Sequence, residues 1–232
     1  MRILVTRPLE DGREIAALLA ARGHHAMLAP LLEPRFHPGP ALEEQGLLDD
    51  IQAVLATSAN GVRALGRRTA RRDIPIFAVG PQTAEEASRA GFKEVKSADG
   101  DANALAAATG GWAAPGARLL HVCAQDAPGH LAEALGQSGF MVRKLPLYAV
   151  EPASHLPDEA KTALQDGALD AVMLFSPRTA QLFRSLAEGL PTNGLTAFCI
   201  SAATAEALKP MALARVAVAA RPNQAAMLAL IS

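Results

Sequence analysis

The segment AVLATSANGVRAL, residues 53–65, passes from an apolar run into a helical pattern through a short polar turn that contains Ser58. Residues 171–183, AVMLFSPRTAQLF, repeat this arrangement, with Ser176 at 118 positions after Ser58. In open parallel sheets, ligands bind where strands end and helices begin. The recurrence therefore predicts two copies of one strand–turn–helix unit, each with a candidate binding turn.

The rest of the chain repeats with nearly the same spacing. The segment that begins RILVTRP at Arg2 matches the segment that begins RLLHVCAQ at Arg118, a constant offset of 116 that also relates Gly23 to Gly139. Both glycines follow helical patterns and are predicted to adopt the left-handed conformation that ends a helix. A period this long indicates a duplicated domain, because solenoids repeat every few tens of residues.

Within each half, short β-branched segments alternate with Ala- and Leu-rich segments of helical period. The strand-like segments are ILVT, AMLAPLL, AVLAT, IFAVG and KEVKS in the first half, and LLHVC, VRKLPLYAV, AVMLF, AFCIS and RVAVA in the second. Such alternation is typical of parallel sheets with helices on both faces. We therefore predict an α/β fold of two doubly wound, flavodoxin-like domains that arose by internal duplication.

Two proline-containing segments, residues 24–40 and 141–152, are longer than one strand requires. Proline favours extended backbone and cannot donate a hydrogen bond to a central strand. We interpret both segments as linkers that leave one sheet and run to the other, and as candidate hinges.

Composition excludes several classes of function. A net charge of −1 and a single basic cluster, residues 67–72, give no footprint for nucleic acid. The chain begins MRILVTRP, with no pattern of a signal peptide, and it has no apolar run of membrane-spanning length. Cys123 and Cys199 lie in apolar segments and are predicted to be buried thiols in a reducing compartment. The expected location is cytoplasmic.

Several catalytic patterns are absent. The sequence has neither a G-x-G-x-x-G nor a P-loop motif, Ser58 and Ser176 lack the G-x-S-x-G context of a hydrolase nucleophile, and the six histidines are scattered. The calcium-like DGDAN segment is better explained by a helix cap at Asp101 or Asn103. We therefore expect no metal and no nucleotide cofactor.

What remains is a set of hydroxyls and backbone amides at predicted strand ends. They are residues 6–7, 57–61, 80–83, 176–178 and 201–204. Helix N-termini at these places bind anions without a basic surface, so the expected ligand is small and anionic. For Ser58, Thr83, Ser176 and Thr204, simple N-capping is an equally good explanation, and Thr83 with Glu86 matches a capping box.

The sequence resembles the uroporphyrinogen-III synthase family over essentially its whole length. The resemblance lies in the order and spacing of ILVTRP, TSANGV, FAVGPQTAEEASRAGF, LPLYAV, LFSPRTAQLF, CISAATAEAL and the terminal P-x-Q-A-A-M-L-A-L. It implies two α/β domains joined by a two-stranded linker. One domain would comprise residues 1–34 and 152–232 and the other residues 37–148, with linkers near 34–38 and 146–152.

The same resemblance implies a cofactor-free lyase of porphyrin biosynthesis that cyclises hydroxymethylbilane in the cleft between the domains, with inversion of the last pyrrole ring and loss of water. Tyr148, the only tyrosine, matches the family tyrosine credited with helping the hydroxyl leave. The predicted substrate-binding residues are Arg7, Thr57, Ser58, Ala59, Asn60, Gly61, Thr83, Ser176, Pro177, Arg178, Ser201, Ala202 and Thr204. The expected partner is this small-molecule substrate, bound by a monomer without nucleic acid or membrane.

The sequence departs from the family pattern in three places. Ser201 stands where a glycine is frequent, Asn60 replaces a common arginine, and residues 124–126 lack the usual Arg-Gly pair. Two alternatives also stay open at this stage. The protein could be a non-catalytic two-domain cytoplasmic protein that binds a carboxylated small molecule, and Tyr148 could only pack a linker against a domain.

Overall fold

The computed structural model describes residues 1–231, which form eleven strands and nine helices. The strands are β1 (Arg2–Val5), β2 (His25–Leu28), β3 (Leu32–Phe36), β4 (Ala53–Ala56), β5 (Ile76–Ala78), β6 (Val95–Ser97), β7 (Arg118–Ala124), β8 (Met141–Pro152), β9 (Ala171–Leu174), β10 (Thr196–Cys199) and β11 (Arg215–Val218). The helices are α1 (Leu9–Ala20), α2 (Ala59–Gly66), α3 (Pro81–Arg89), α4 (Ala102–Trp112), α5 (His130–Gln137), α6 (Asp158–Gln165), α7 (Pro177–Leu186), α8 (Ala202–Glu206) and α9 (Gln224–Leu228).

The chain divides into two compact units. Unit 1 combines Met1–Glu33 with the residues from Glu151 onwards, and unit 2 is Pro34–Val150. The sheet of unit 1 has the order β11-β10-β9-β1-β2, and all its pairings are parallel. Numbered within the unit, this is the flavodoxin-like order 2-1-3-4-5. The α/β fold predicted from the sequence is confirmed.

The sheet of unit 2 has the order β3-β8-β7-β4-β5-β6. From β8 to β6 the pairings are parallel and follow the same doubly wound plan. Each sheet therefore combines strands from both halves of the duplication. In unit 1, β1 and β2 of the first half pair beside β9–β11 of the second. In unit 2, β7 and β8 of the second half lie between β3 and β4–β6 of the first. The repeat in the sequence gives no sign of this exchange, because a constant offset relates equivalent strands without showing which ones share a sheet.

The central strands are buried on both faces. Val54 and Ala56 of β4 belong to one apolar cluster, while Ala53 and Leu55 belong to another. Strands covered on both faces appear in the sequence as continuous apolar runs. This is why AVLA and AVML, in β4 and β9, show no polar alternation.

The second proline-containing segment begins as a strand of unit 2, as predicted for VRKLPLYAV. Residues 141–148 lie inside the sheet and pair with β7, and Pro146 stands opposite Cys123 immediately before a register shift that places Tyr148 opposite Ala124. A proline fits within a strand at such an irregularity, where a ladder hydrogen bond is missing anyway. The strand β3 falls within the first proline-containing segment, where the resemblance implies a linker near residues 34–38, and it lies on the other side of β8.

Several local predictions are confirmed. Gly23 and Gly139 have φ angles of 78° and 85°, in the left-handed region that favours glycine. Asp101 caps α4 by accepting hydrogen bonds from two backbone N–H groups. Cys123 and Cys199 are buried free thiols. Among residues 1–231, no helix has both the length and the apolar character needed to span a membrane.

Candidate active site

The polar turns lie where the fold of each unit favours a binding site. In unit 2 the chain runs outward in opposite directions from the adjacent strands β7 and β4, and in unit 1 from β1 and β9. Such switch points open a crevice at the carboxyl ends of the strands. We name the turns by one residue each: the Ser58 turn (57–61) and the Thr83 turn (80–83) in unit 2, and the Ser176 turn (175–179) and the Ser201 turn (201–204) in unit 1.

The Ser58 turn is a capped helix start that packs closely against the sheet. Ser58 has extended backbone and its hydroxyl accepts a hydrogen bond of 3.1 Å from the Asn60 N–H. Gly61 is buried, and a Cβ atom there would lie 3.0 Å from the carbonyl oxygen of Val122. This turn therefore needs glycine because the backbone of α2 approaches β7 closely. The prediction that Gly61 contributes to substrate binding stays a prediction.

Tyr148 lies beside the Ser58 turn within unit 2. Its side chain is 5% exposed and belongs to the apolar cluster that also contains Val62 and Leu147. Burial raises the pKa of the phenol, and a side-chain hydrogen bond with Ser58 opposes that rise. Since the Ser58 hydroxyl accepts from Asn60, its own proton can point to the phenolic oxygen. Because burial raises the pKa of the phenol above its ordinary value, the phenol is protonated at neutral pH and can donate its hydrogen.

Aromatic and cationic groups from neighbouring elements complete the surroundings of Tyr148. The ring of Phe36, in β3, lies 6.3 Å from that of Tyr148 at an interplanar angle of 50°. The guanidinium of Arg67 lies over the other ring, 4.3 Å from the centroid of Phe36. These contacts also satisfy the packing role for Tyr148 that the sequence left open.

A cation is present at the Ser58 turn, although Asn60 replaces the expected arginine. Arg63, one turn further along α2, donates to Asn60 Oδ1 at 3.2 Å and forms an ion pair of 2.9 Å with Glu86. The side chains of Arg63 and Glu86 are 12% and 13% exposed. With its oxygen engaged by Arg63, the Asn60 amide has its NH₂ group left to donate.

The capping interpretation of Thr83 is wrong. Helix α3 begins at Pro81 with Gly80 as its N-cap, so Thr83 lies within the first turn and is buried. Glu86 does not close a capping box, because its carboxylate pairs with Arg63 and Arg89. The prediction that Thr83 binds substrate stays a prediction.

His121, which no sequence motif marks, lies in β7 and is 2% exposed. Its Nε2 lies 3.3 Å from the hydroxyl of Thr57, and its Nδ1 has no hydrogen-bond partner among residues 1–231. Burial, with smaller contributions from Lys144 and His130, lowers the pKa of His121 to about 4, so the ring is neutral at pH 7. A signal existed in the sequence, since His121 is the one polar residue in the apolar run LLHVC.

In each of the corresponding turns of unit 1, a serine hydroxyl and a threonine hydroxyl form a hydrogen bond with each other. Ser176 Oγ lies 2.8 Å from Thr179 Oγ1, and it also accepts a hydrogen bond of 3.1 Å from the Thr179 N–H. Ser201 and Thr204 form the same pair, with distances of 3.0 and 3.3 Å. Ser176 and Ser201 are therefore N-caps, whereas Thr204 is not a cap and is fully buried.

The remaining predicted residues of unit 1 differ in accessibility. Arg7 forms a 2.5 Å ion pair with Asp11, and its guanidinium lies 5.0 Å from the ring centroid of Phe175. Pro177 and Arg178 are exposed at the start of α7, and Ala202 is exposed at the start of α8. Because proline has no N–H, Pro177 gives shape but no donor to this helix start.

Taken separately, the two units thus define a class of protein: flavodoxin-like α/β units whose polar helix starts lie at strand ends, one of them with a buried phenol. The chain belongs to the uroporphyrinogen-III synthase family, since the family model described as uroporphyrinogen-III synthase HemD matches residues 13–229. It is therefore an enzyme of a family that serves porphyrin biosynthesis. A comparison with curated protein sequences found no match.

Solved structures share the fold. A mutant uroporphyrinogen III synthase from the extremely thermophilic bacterium Thermus thermophilus is 20% identical, with 99% of this chain and 96% of that chain covered and a TM-score of 0.53. The uroporphyrinogen-III synthetase from Helicobacter pylori is 18% identical, with coverage of 99% and 98% and a TM-score of 0.64. At these identities the likeness shows the fold alone.

Proposed function

We propose that this enzyme cyclises hydroxymethylbilane to uroporphyrinogen III, with inversion of the last pyrrole ring and loss of water. The observation that carries the proposal is the family match over residues 13–229. The arrangement of Tyr148, Ser58 and Asn60 in unit 2 supports it, because it places one retained phenolic proton beside a helix start.

The first step is departure of the substrate hydroxyl as water, which leaves a cationic azafulvene. Tyr148 is proposed to donate its proton to that oxygen. The hydrogen bond from Ser58 then stabilises the phenolate, which recovers a proton when the cyclised intermediate loses one. The raised pKa of Tyr148 ensures that the proton is present at neutral pH, and it also makes the phenol a weak acid, so its share of the rate should be moderate.

The larger task is positioning. The released cation would close directly to the uninverted isomer in water, so the enzyme must hold the last ring so that its substituted carbon attacks and forms a spiro intermediate. Positioning of this kind can lower a barrier by roughly 7–11 kcal/mol. We propose that the strand-end turns of both units bind acetate and propionate groups of the same substrate, with backbone N–H groups at helix starts as donors. The cleft expected between the domains stays a prediction.

Purified protein supplied with freshly made hydroxymethylbilane tests the proposal. Isomer III should form well above the isomer I that arises spontaneously, as measured by chromatography of the oxidised porphyrins. Heat-denatured protein is the control. Saturable binding of hydroxymethylbilane with only isomer I as product would contradict the proposal and support the non-catalytic binding protein instead.

We further propose that the enzyme is a lyase that works without a cofactor, as a monomer in the cytoplasm. Activity that survives dialysis against a chelator, and a mass near 24.1 kDa in light scattering, are the expected results.

A further inference from the structure

Because the chain is duplicated, His121 and Thr57 of unit 2 can be compared with the residues at the equivalent positions of unit 1. At the offsets that relate the two halves, His121 corresponds to Val5 and Thr57 corresponds to Phe175. In unit 1 this pair lies in an apolar cluster, where Val5 is fully buried. The fold therefore accepts an apolar pair at this place, and stability alone does not require the polar pair of unit 2.

Burial of the polar pair His121 and Thr57 is expected to reduce the stability of unit 2. His121 is 2% exposed and shares its face of β7 with Leu119, which packs in an apolar cluster with Leu131 and Leu135 of α5. One ring nitrogen, Nδ1, has no partner among the described residues. A buried polar atom without a hydrogen bond destabilises a fold, so an unpartnered one in a native structure calls for an explanation.

His121 contacts Thr57, which belongs to the Ser58 turn, one of the proposed binding turns. His121 stands opposite Leu55 in the register of β7 and β4, and its Nε2 lies 3.3 Å from the hydroxyl of Thr57, just beyond the end of β4. The two residues thus link the two strands that flank the switch point of unit 2. Thr57 itself is partly exposed.

We propose that His121 is a positioning residue whose Nε2–H donates to Thr57 Oγ1, so that the Thr57 hydroxyl proton is left to donate to a substrate carboxylate. The proposal rests on the proposed function and names one role within it. A neutral imidazole carries one N–H, and the tautomer decides the outcome. With the proton on Nε2, Thr57 accepts from the ring and donates outward. With the proton on Nδ1, Nε2 accepts a hydrogen bond from the Thr57 hydroxyl, which then has no proton left to donate to an anion.

The tautomer is measurable without substrate. Nitrogen-15 NMR of the full-length protein labelled at histidine should show His121 neutral at pH 7 and protonated on Nε2. A ring protonated on Nδ1 would overturn the proposal, whether or not the protein forms isomer III.

Two variants test the consequence for the reaction. His121→Leu gives an apolar residue as in unit 1, and it should raise KM for hydroxymethylbilane about threefold to tenfold with kcat within about twofold, because a contact equal in ground and transition states affects binding alone. His121→Gln retains an N–H near the position of Nε2 and should restore KM. The same change at His155, which is exposed and lies in unit 1, is the matched control, His155→Gln.

Stability separates this role from a structural one. His121→Leu removes the unpartnered nitrogen and should leave thermal stability equal or higher while KM rises. An unchanged KM in His121→Leu, or a glutamine variant as impaired as the leucine variant, would overturn the proposal. Wild-type activity is measured first: absence of isomer III would refute the proposed function itself, and the NMR result would still report the tautomer.

Discussion

The strand-end turns of the two units share a backbone plan and differ in their hydroxyls. In unit 1, both turns carry a Ser-x-x-Thr pair whose hydroxyls bind each other. In unit 2 each turn lacks one member, because Gly61 stands in the place of Thr179 and Gly80 in the place of Ser201. Ser58 consequently lacks a threonine partner three residues further on, and it lies beside Tyr148, where it opposes the rise in the pKa of the phenol.

From this difference we propose that the two duplicated units have different roles. In unit 1 the hydroxyls of each turn bond to each other, and these bonds stabilise the starts of α7 and α8. Unit 2 places a phenol, a buried imidazole and a paired arginine around its turns, and these groups can act on a ligand. Comparison of equivalent positions in the two units thus separates polar residues that the shared fold requires from polar residues that it does not require.

Tyr148→Phe should have the largest effect on activity of the changes that distinguish unit 2 from unit 1. The change retains the ring, so packing against Phe36 and Val62 should be preserved. It removes the proposed proton donor, and activity should fall by about 10²- to 10⁴-fold, as is typical of general acid catalysis. Whatever product forms should remain largely isomer III, since the binding turns are intact. A loss under about threefold would assign Tyr148 to packing alone.

The fold was accessible from the sequence because its signals are local and repeated. Apolar runs such as AVLA and AVML mark strands buried on both faces, and the offset between Gly23 and Gly139 marks the duplication. The exchange of strands between the units is not local, so the repeat did not reveal it. The strand β3 has no local strand pattern because Pro34 and Arg35 lie within it, so only the family resemblance, which implies a linker strand near residues 34–38, pointed to it.

The candidate site was accessible only in part. Ser58 and Ser176 were recognisable from their position between strand and helix. Capping stayed open as an explanation for Thr83 because a capping box is a pattern of residue types, whereas the helix starts two residues earlier at Pro81. His121 was missed because no motif contains it, and its significance depends on burial and on one contact across two strands.

The pH dependence of stability should distinguish unit 2 from unit 1. The folded-state pKa of His121 is about 4, below its ordinary value of 6.5. Its contribution to stability is therefore complete above pH 6.5 and falls as pH decreases to 4, because the unfolded chain binds a proton that the folded one does not. The loss should be about 3 kcal/mol.

Denaturant unfolding of wild type and His121→Leu at several pH values measures this contribution. Carboxylates that titrate in the same range cancel in the difference between the two proteins, which leaves His121 together with its coupling to nearby Lys144 and His130. Equal pH profiles for the two proteins would show that the imidazole titrates normally in the folded state.

Gly61→Ala should destabilise unit 2 by about 1–3 kcal/mol, the usual cost of overpacking. The new Cβ would lie 3.0 Å from the Val122 carbonyl, at a place where unit 1 has the side chain of Thr179. Gly66→Ala, at the end of the same helix, is the control, because its nearest neighbour is an Arg72 nitrogen at 3.7 Å. Thermal unfolding of both variants provides the measurement, and similar melting temperatures would contradict the close approach of α2 to β7.

The smallest expected effect gives the sharpest comparison of the two units. Ser58→Ala and Ser176→Ala each remove a helix cap, and each should reduce stability by about 1 kcal/mol. Only Ser58 also lies beside Tyr148 and opposes the rise in the pKa of its phenol. If Ser58 stabilises the phenolate that forms as the hydroxyl leaves, kcat should fall about threefold to tenfold in Ser58→Ala, in keeping with one hydrogen bond, and by less than twofold in Ser176→Ala. In the Tyr148→Phe background the two serine variants should have equal kcat, since the phenolate is absent there. Equal effects of the two serine changes in the wild-type background would mean that both serines serve as caps alone, and that the asymmetry between the units lies in Tyr148 and His121.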